Sequence, residues 1–493
     1  MNHKFYSKMR SIFTKPLPCG EGLGRGFTSI QNNIHSRFGK YTSMKKYTIL
    51  YLLLLAVTAS LPAQTEKGSI HIKNATVITI TDGVKENTDV VVTDGKITGI
   101  GKSLRAPKGA KVVDATGKFV MPGIIDAHSH IALDAVNEAT NIITAEVETG
   151  DVIDPLDVGI YRALAGGVTA THAMHGSANA IGGQCETIKL RYGTYNPDDL
   201  KMVGAPRTIK FALGENPMRV HGEGNRLHAR TRMGIEQVFR RGFSEAEDYM
   251  EAWLDYEQKG GENSQAVAPL YDRRLAALAD ILRGDIIIHC HSYRADEILM
   301  LMNVCKDFGV KRLVYQHVNE GFKVAPELAE FGAMASVFAD WWAYKFEVYY
   351  STAYNAAILT RNGVVTSINS DSGDYIRHLY HQAGKTQRYG QLTDNEALRL
   401  ITLNPAIQLG IEDRVGSLEK GKDGDIAIFN AHPLSVYAIP QMTIVDGIVR
   451  FDINEDNNDM RMSVDPEDTD AMFLDYDHDH RCMEGTAAEL FNH

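Results

Sequence analysis

The run Val120-Met121-Pro122-Gly123-Ile124-Ile125-Asp126-Ala127-His128-Ser129-His130 constrains this chain more than any other feature. A strand-like apolar stretch ends in two histidines one residue apart. Residues i and i+2 of a strand face the same side, so His128 and His130 can aim both imidazoles at one point, as a divalent metal requires. Alone, His-x-His fits two surface histidines beside a turn equally well. The rest of the chain adds to it, because further apolar runs close on, or carry, a polar residue able to serve a metal: residues 208–213 with Lys210, 285–289 with His289, 312–317 with His317 and 364–371 with Asp371.

Helical stretches separate these runs, the βα rhythm of a parallel sheet or barrel. In a (β/α)8 barrel the strand C-termini meet on one face, which gathers His128, His130, Lys210, His289, His317 and Asp371 around one centre. Neutral imidazoles with an oxygen donor suit zinc or a similar ion. A closing aspartate can ligate it and also accept a proton from water. Short β runs at 69–120 recur near the other end, at 425–429 and 442–449. The expected architecture is a distorted TIM (β/α)8 barrel, residues 122–411, inserted in a small β-sandwich domain built from both chain ends, residues 64–121 and 412–453. With 493 residues the chain is long enough for both. Residues 185–190 read as the third barrel strand. A charged insertion at 216–283 has helical patterning at 245–256 and 266–282. A later helix starts at Thr393, with Glu396 at the capping-box position, and is expected to end at Asn404-Pro405.

The chain ends read differently. Residues 1–43 are basic and aperiodic, as an upstream extension would be. Met44-Lys45-Lys46 and the apolar core after it make residues 44–63 a signal peptide. That core is shorter than the roughly 20 residues of a membrane span, so the expectation is a secreted or periplasmic protein with no stable span after cleavage. Residues 454–493 carry twelve Asp/Glu against two Arg, nearly all of the net charge of -11. The body is therefore near neutral, which gives no footprint for nucleic acid. Asp477-His478-Asp479-His480 reads as part of this solvated acidic tail. Five cysteines without CxxC spacing suggest neither a disulfide framework nor a zinc knuckle.

Together the motifs resemble the amidohydrolase superfamily of metal-dependent hydrolases, over about residues 69–453. They are the Pro122–His130 run, Arg162-Ala163-Leu164-Ala165-Gly166-Gly167-Val168-Thr169, Ile288-His289-Cys290-His291, Ser370-Asp371, and residues 416–427, Gly-Ser-Leu-Glu-Lys-Gly-Lys-Asp-Gly-Asp-Ile-Ala. The nearest likeness is to the imidazolonepropionase-like and Xaa-Pro-dipeptidase-like branch. The resemblance implies one or two divalent metals, zinc foremost, and hydrolysis of C–N bonds. By that resemblance His128 and His130 match first-strand ligands, His289 the fifth-strand ligand, His317 the sixth, and Asp371 the eighth-strand ligand and general base. The bridging ligand is either a carboxylated Lys210, whose long stem suits a mid-strand position, or Glu215 at the strand end. His291 is an alternate ligand or a substrate contact.

Around that centre, His175, Asn179 and Gln184 can bind a substrate amide or carboxylate, unless their glycine-rich loop only holds its own turns. Arg294 can clamp a carboxylate, unless it is a plain surface residue. The expected function is hydrolysis of an amide, peptide or cyclic amide by metal-activated water, with Asp371 as base and His317 near the carbonyl oxygen. Two alternatives stay open: a single-metal deaminase of the same superfamily, and a non-catalytic barrel that binds a partner. The expected partner is a small-molecule substrate, and a homo-oligomer is compatible with it.

Overall fold

The computed structural model describes residues 66–222, 228–341, 344–455 and 461. The extension 1–43, the leader 44–63 and nearly all of the acidic tail, with Asp477 to His480, lie outside the described residues. Among the described residues, no helix is long and apolar enough to cross a membrane.

Strands β1 (Ile70–Ile78), β2 (Val84–Thr93), β3 (Lys96–Gly101), β4 (Lys111–Asp114) and β5 (Phe119–Pro122) come first. The barrel strands follow: β6 (Ile124–Ser129), β7 (Val168–Ala173), β8 (Ile181–Lys189), β9 (Arg207–Ala212), β10 (Ile286–Ser292), β11 (Leu313–His317), β12 (Met334–Val337) and β13 (Thr366–Ile368). Strands β14 (Ile426–Phe429), β15 (Pro440–Val445) and β16 (Ile448–Asp452) then return to the first sheet. That sheet runs β16-β15-β14-β5-β1-β2-β3, with β4 beside β1. The expected sandwich is thus one continuous sheet. It encloses its own core, because Ile70 and Ile72 of β1 pack with Val90 and Val92 of β2 and with Ile426, Ile428 and Ile444 from the other end of the chain. These positions alternate along each strand, as one buried face requires. Gly123 joins the sheet to the barrel. A Cβ there would lie 2.1 Å from Thr169 Oγ1, so only glycine permits this approach.

The barrel sheet runs from β13 to β6 in sequence order. Its neighbours are parallel except at β8, which is antiparallel to both β7 and β9. The expected third strand at 185–190 is present as β8, but its direction corrects the uniform βα rhythm. Seven residues separate Ala173 from Ile181, too few for the crossover that a parallel partner needs. The ring closes without a β6–β13 ladder. Ile125 N–H donates to Ile401 O and Ile368 N–H to Leu400 O at one level, and Asp371 N–H donates to His128 O (3.0 Å) at the catalytic end. Asp126 adds a side-chain tie across the seam, accepting from Ser370 Oγ at 2.5 Å and from the backbone of His128 and Ser370.

The insertion forms helices Glu215–Gly222, Arg232–Gln258 and Arg273–Arg283. Phe239 and Phe243 of the long helix lie on Phe211 of β9, with centroids 5.4 and 6.1 Å apart. Phe211 therefore faces the helix, and strand alternation turns its neighbours Lys210 and Ala212 into the barrel. Thr393 and Glu396 form the expected capping box. Pro405 does not end that helix. The helix stops at Arg399, and Pro405 lies in the first turn of a second helix, Leu403–Leu409, where its missing N–H costs nothing.

Candidate metal centre

Strand geometry delivers the side chains. His128 closes β6, with His130 just beyond it, and His289 and His291 share one face of β10. Across the β9–β10 ladder Lys210 is in register with His289. His291 is in register with Gln316, the residue before His317. Plain alternation would turn His317 away from the face that Gln316 occupies. Its φ of 68° breaks the alternation at the strand end, and Asp371 likewise has a φ of 46°. Such conformations are strained for non-glycine residues and gather at functional sites.

His128, His317 and Asp371 offer ligand atoms that all lie within 4.8 Å of one another. Asp371 Oδ1 is 3.2 Å from His128 Nε2 and 3.0 Å from His130 Nε2, and Oδ2 is 3.6 Å from His317 Nε2. Lys210 Nζ lies 3.0 Å from His128 Nε2. All of these groups are buried. His130 Nδ1 faces Met174 O at 2.8 Å, and a carbonyl only accepts, so Nδ1 carries the proton. In a neutral ring Nε2 then presents its lone pair to a carboxylate oxygen. His128 Nε2 meets the Lys210 ammonium on one side and the same carboxylate oxygen on the other. Three imidazoles thus converge on one carboxylate, an arrangement that suits a bound cation.

Burial is the first cause of the titration pattern. It holds His128, His289 and His291 well below the ordinary imidazole range. It pushes His317 down to about 3, although Asp371 pulls the other way. Burial alone would raise Asp371, but His317, His130 and Lys210 outweigh it and hold its carboxyl below the usual range. The centre is therefore neutral imidazoles plus one carboxylate, the protonation state metal ligation needs. Among the described residues, His289 Nε2, both nitrogens of His291, both of His317 and Asp371 Oδ1 are buried without a well-formed hydrogen bond. Orphaned buried polar atoms are costly, and this many at one point fit a divalent ion.

The structure separates the other expected site residues from this cluster. Glu215 heads the helix Glu215–Gly222, where Arg219 (3.3 Å) and Lys345 (3.7 Å) pair with its carboxylate. His175 spends both ring nitrogens on its loop, Nδ1 at 2.9 Å from Gly176 O and Nε2 accepting from Glu138 N–H. Asn179 donates to Glu138 O, Asn141 O and Thr144 Oγ1, and Gln184 donates to Ala145 O. The loop holds its own turns through these bonds, while Asn179 Oδ1 is buried without a partner among the described residues. Arg294 forks onto Asp296 at 3.0 and 2.9 Å on the half-exposed start of the helix Ala295–Asp307. His291 does belong to the cluster, its ring 4.7 Å from that of His317.

Several residues at the centre carry no motif. Phe338 stacks on His317 at 4.6 Å and Trp341 on Phe338 at 4.5 Å. Tyr293 lies along His317 at 5.4 Å and its hydroxyl meets that of Tyr344 at 3.0 Å. A cavity beside His317 is lined by Asn319, Phe338, Trp341 and Asn355. The density of aromatics at 338–354 is the one sequence signal that points to this wall.

Residues 349–461 match the model of the amidohydrolase family. A crystal structure of an amidohydrolase from Thermotoga maritima MSB8 superposes with a TM-score of 0.70 at 34% identity, covering 78% of this chain and all of that one. The amidohydrolase tasK of Hapsidospora irregularis is 31% identical over 393 residues, 74% of this chain but only 40% of that longer protein. An imidazolonepropionase of Thermoplasma volcanium is 23% identical over 70% of this chain and 84% of its own.

Proposed function

The chain belongs to the amidohydrolase family, and from that premise we propose that it is a metal-dependent hydrolase of an amide, peptide or cyclic amide C–N bond. The observation that carries the reading is the convergence of His128, His130 and His317 on Asp371, with Lys210 beside them and buried lone pairs left over on His289 and His291. His128, His130, His289, His317 and Asp371 would hold the metal, and their imidazole-rich set suits zinc. A divalent ion there supplies Lewis acidity and makes water a nucleophile near neutral pH.

The chain's own groups do the rest. Asp371 accepts the proton of the attacking water and returns it to the leaving nitrogen. His317, or His291 whose ring lies 4.7 Å from it, polarises the carbonyl oxygen as charge develops. Phe338, Trp341 and Tyr293 wall the site and exclude water, which strengthens each of these contacts. Lys210 would supply a further anionic ligand: its amine adds to CO2, loses one proton and becomes a carbamate. That exchanges a sealed ammonium for a negative charge at a centre with a single carboxylate. The leader at 44–63 makes the enzyme an exported one, and N-terminal sequencing of the mature protein tests this.

The test of function is a screen of the metal-loaded protein against dipeptides, N-acyl amino acids and cyclic amides. The reading expects hydrolysis in one class and two metals per chain, the second dependent on bicarbonate. Ammonia release with one tightly bound metal would replace it with deamination. A metal-free barrel inert to all three classes would leave a binding protein.

A further inference from the structure

Gln316 is fully buried in β11, and its carboxamide lies 2.9 Å from His289 Nδ1. With nitrogen at that contact, the amide donates to Nδ1, so a neutral His289 must carry its proton on Nε2. That arrangement strands two buried groups, because neither Gln316 Oε1 nor His289 Nε2 has a hydrogen-bond partner among the described residues. The two ends of a carboxamide differ only in which atom donates, and the surrounding bonds decide between them. With the amide turned over, the NH2 takes the unpartnered place of Oε1, Oε1 accepts from Nδ1–H, and Nε2 of His289 becomes a bare lone pair that a metal ion would satisfy. His289 stands in register with Lys210, and its neighbour on the same strand face, His291, packs against His317. His289 therefore shares the inward strand face of Lys210 and His291.

We propose that Gln316 is a positioning residue: its carboxamide oxygen locks His289 as the Nδ1–H tautomer and so makes Nε2 a ligand atom. The inference rests on the metal-site reading above. Carbonyl or carboxylate partners that fix a ligand histidine in this way tune metal affinity as strongly as some ligands do. His130 is held the same way by Met174 O, so two of the ligand imidazoles take their tautomer from a carbonyl-type oxygen. The packing around His289 allows little other support. His172 lies edge-on at 4.5 Å, with its own Nε2 2.7 Å from Thr208 Oγ1.

The test compares wild type, Gln316→Met and Gln316→Glu, titrating each metal-stripped full-length protein with Zn2+ or Co2+ against a competing chelator. Near-ultraviolet circular dichroism reports the fold. Gln316→Met keeps the side-chain length and loses the acceptor, so binding should weaken about 10–100-fold. Gln316→Glu can only accept, so it should bind as tightly as wild type or more so. Wild-type affinity in a folded Gln316→Met would overturn the proposal. So would a Gln316→Glu as weak as the Met variant, because that result would require the amide to donate. If Gln316→Met does not fold, Gln316→Glu decides alone: tenfold weaker binding overturns the assignment, and equal or tighter binding upholds it. A wild-type protein that binds neither ion would overturn this assignment together with the metal-site reading, a result distinct from the others.

Discussion

Among the described residues two lysines are fully sealed, Lys189 and Lys210, each with no solvent exposure. Lys189, at the end of β8, reaches into the curled sheet and meets three carboxylates: Asp446 at 2.6 Å, Asp423 at 2.8 Å and Asp425 at 3.0 Å. Arg191 pairs with Asp446, and Lys96 and Arg414 pair with Asp423. Here charge is answered within the chain. Burial alone would lower the Lys189 ammonium, but Asp425, Asp446 and Asp423 hold it above the ordinary lysine range. Lys210 has a histidine nitrogen at 3.0 Å instead of a carboxylate, and the one acid nearby, Asp371, is already ringed by three imidazoles. One cluster is closed, and the other stays incomplete until something from outside completes it. The first joins two sheets, and the second is the centre proposed for catalysis. Incomplete pairing separates a site from a structural ion cluster better than burial or charge count does.

That contrast can be broken at either end, and the largest effect is expected at Asp371. An Asp371→Asn change keeps the imidazoles but removes the proton acceptor. Turnover on an identified substrate should drop roughly 10²–10⁴-fold while most of the metal is retained. Wild-type turnover in a metal-replete variant would place Asp371 with the structural aspartates.

Next is Lys189→Met, which leaves three carboxylates buried together. Breaking a buried ion network in this way costs about 3–5 kcal/mol, read by urea denaturation. Activity per folded molecule should stay near wild type, and a loss of metal at equal fold would couple two clusters held here to be separate.

Acid sharpens the same comparison. Burial alone would raise Asp423, but Lys189, Lys96 and Arg414 outweigh it and hold its carboxyl well below the usual range. Its contribution to stability is therefore present above the unfolded pKa of about 3.9 and lost as pH falls through the folded value. Burial raises Asp425 to about 6 against the pull of Lys189. Its ionised form is penalised above that pH, and the penalty is relieved as pH drops from about 6 towards 4. The melting-temperature deficit of Lys189→Met should thus be greatest above pH 6 and shrink progressively below pH 4, as pH falls towards the low folded value of Asp423. A deficit that grows in acid would contradict the assigned pairing.

The smallest effect belongs to Arg294→Ala. Its guanidinium serves Asp296 on a half-exposed surface, so stability should move within about 0.5 kcal/mol and KM within about twofold. A tenfold rise in KM for an anionic substrate would return Arg294 to the site.

These outcomes also measure what the chain discloses before it folds. Strand exits ending in His or Asp are legible, because alternation and barrel topology fix where they point. That is why these exits can be named together, although His317 and Asp371 reach the centre only through positive-φ backbone that the strand pattern does not show. The direction of β8 is not legible, since a two-residue period reads the same both ways and only the short link after Ala173 betrays it. Loop residues mislead for a related reason. His175, Asn179 and Arg294 carry the chemistry of a binding site, but their partners are set by the local turn or the next residue but one. Asp126, Gln316 and Phe338 act through contacts with residues far along the chain. In the sequence each looks like an ordinary strand or core residue.

The central claim is that the Lys210 and Asp371 centre is incomplete without a divalent ion. Differential scanning calorimetry of metal-stripped protein, alone and with stoichiometric Zn2+, tests it directly, with bound metal counted by elemental analysis. Selective binding to the native state raises the melting temperature. The account predicts a clear upward shift saturating at one or two ions per chain, absent in a variant lacking His128 and His317. An unchanged melting temperature with no ion retained by the folded wild type would contradict it.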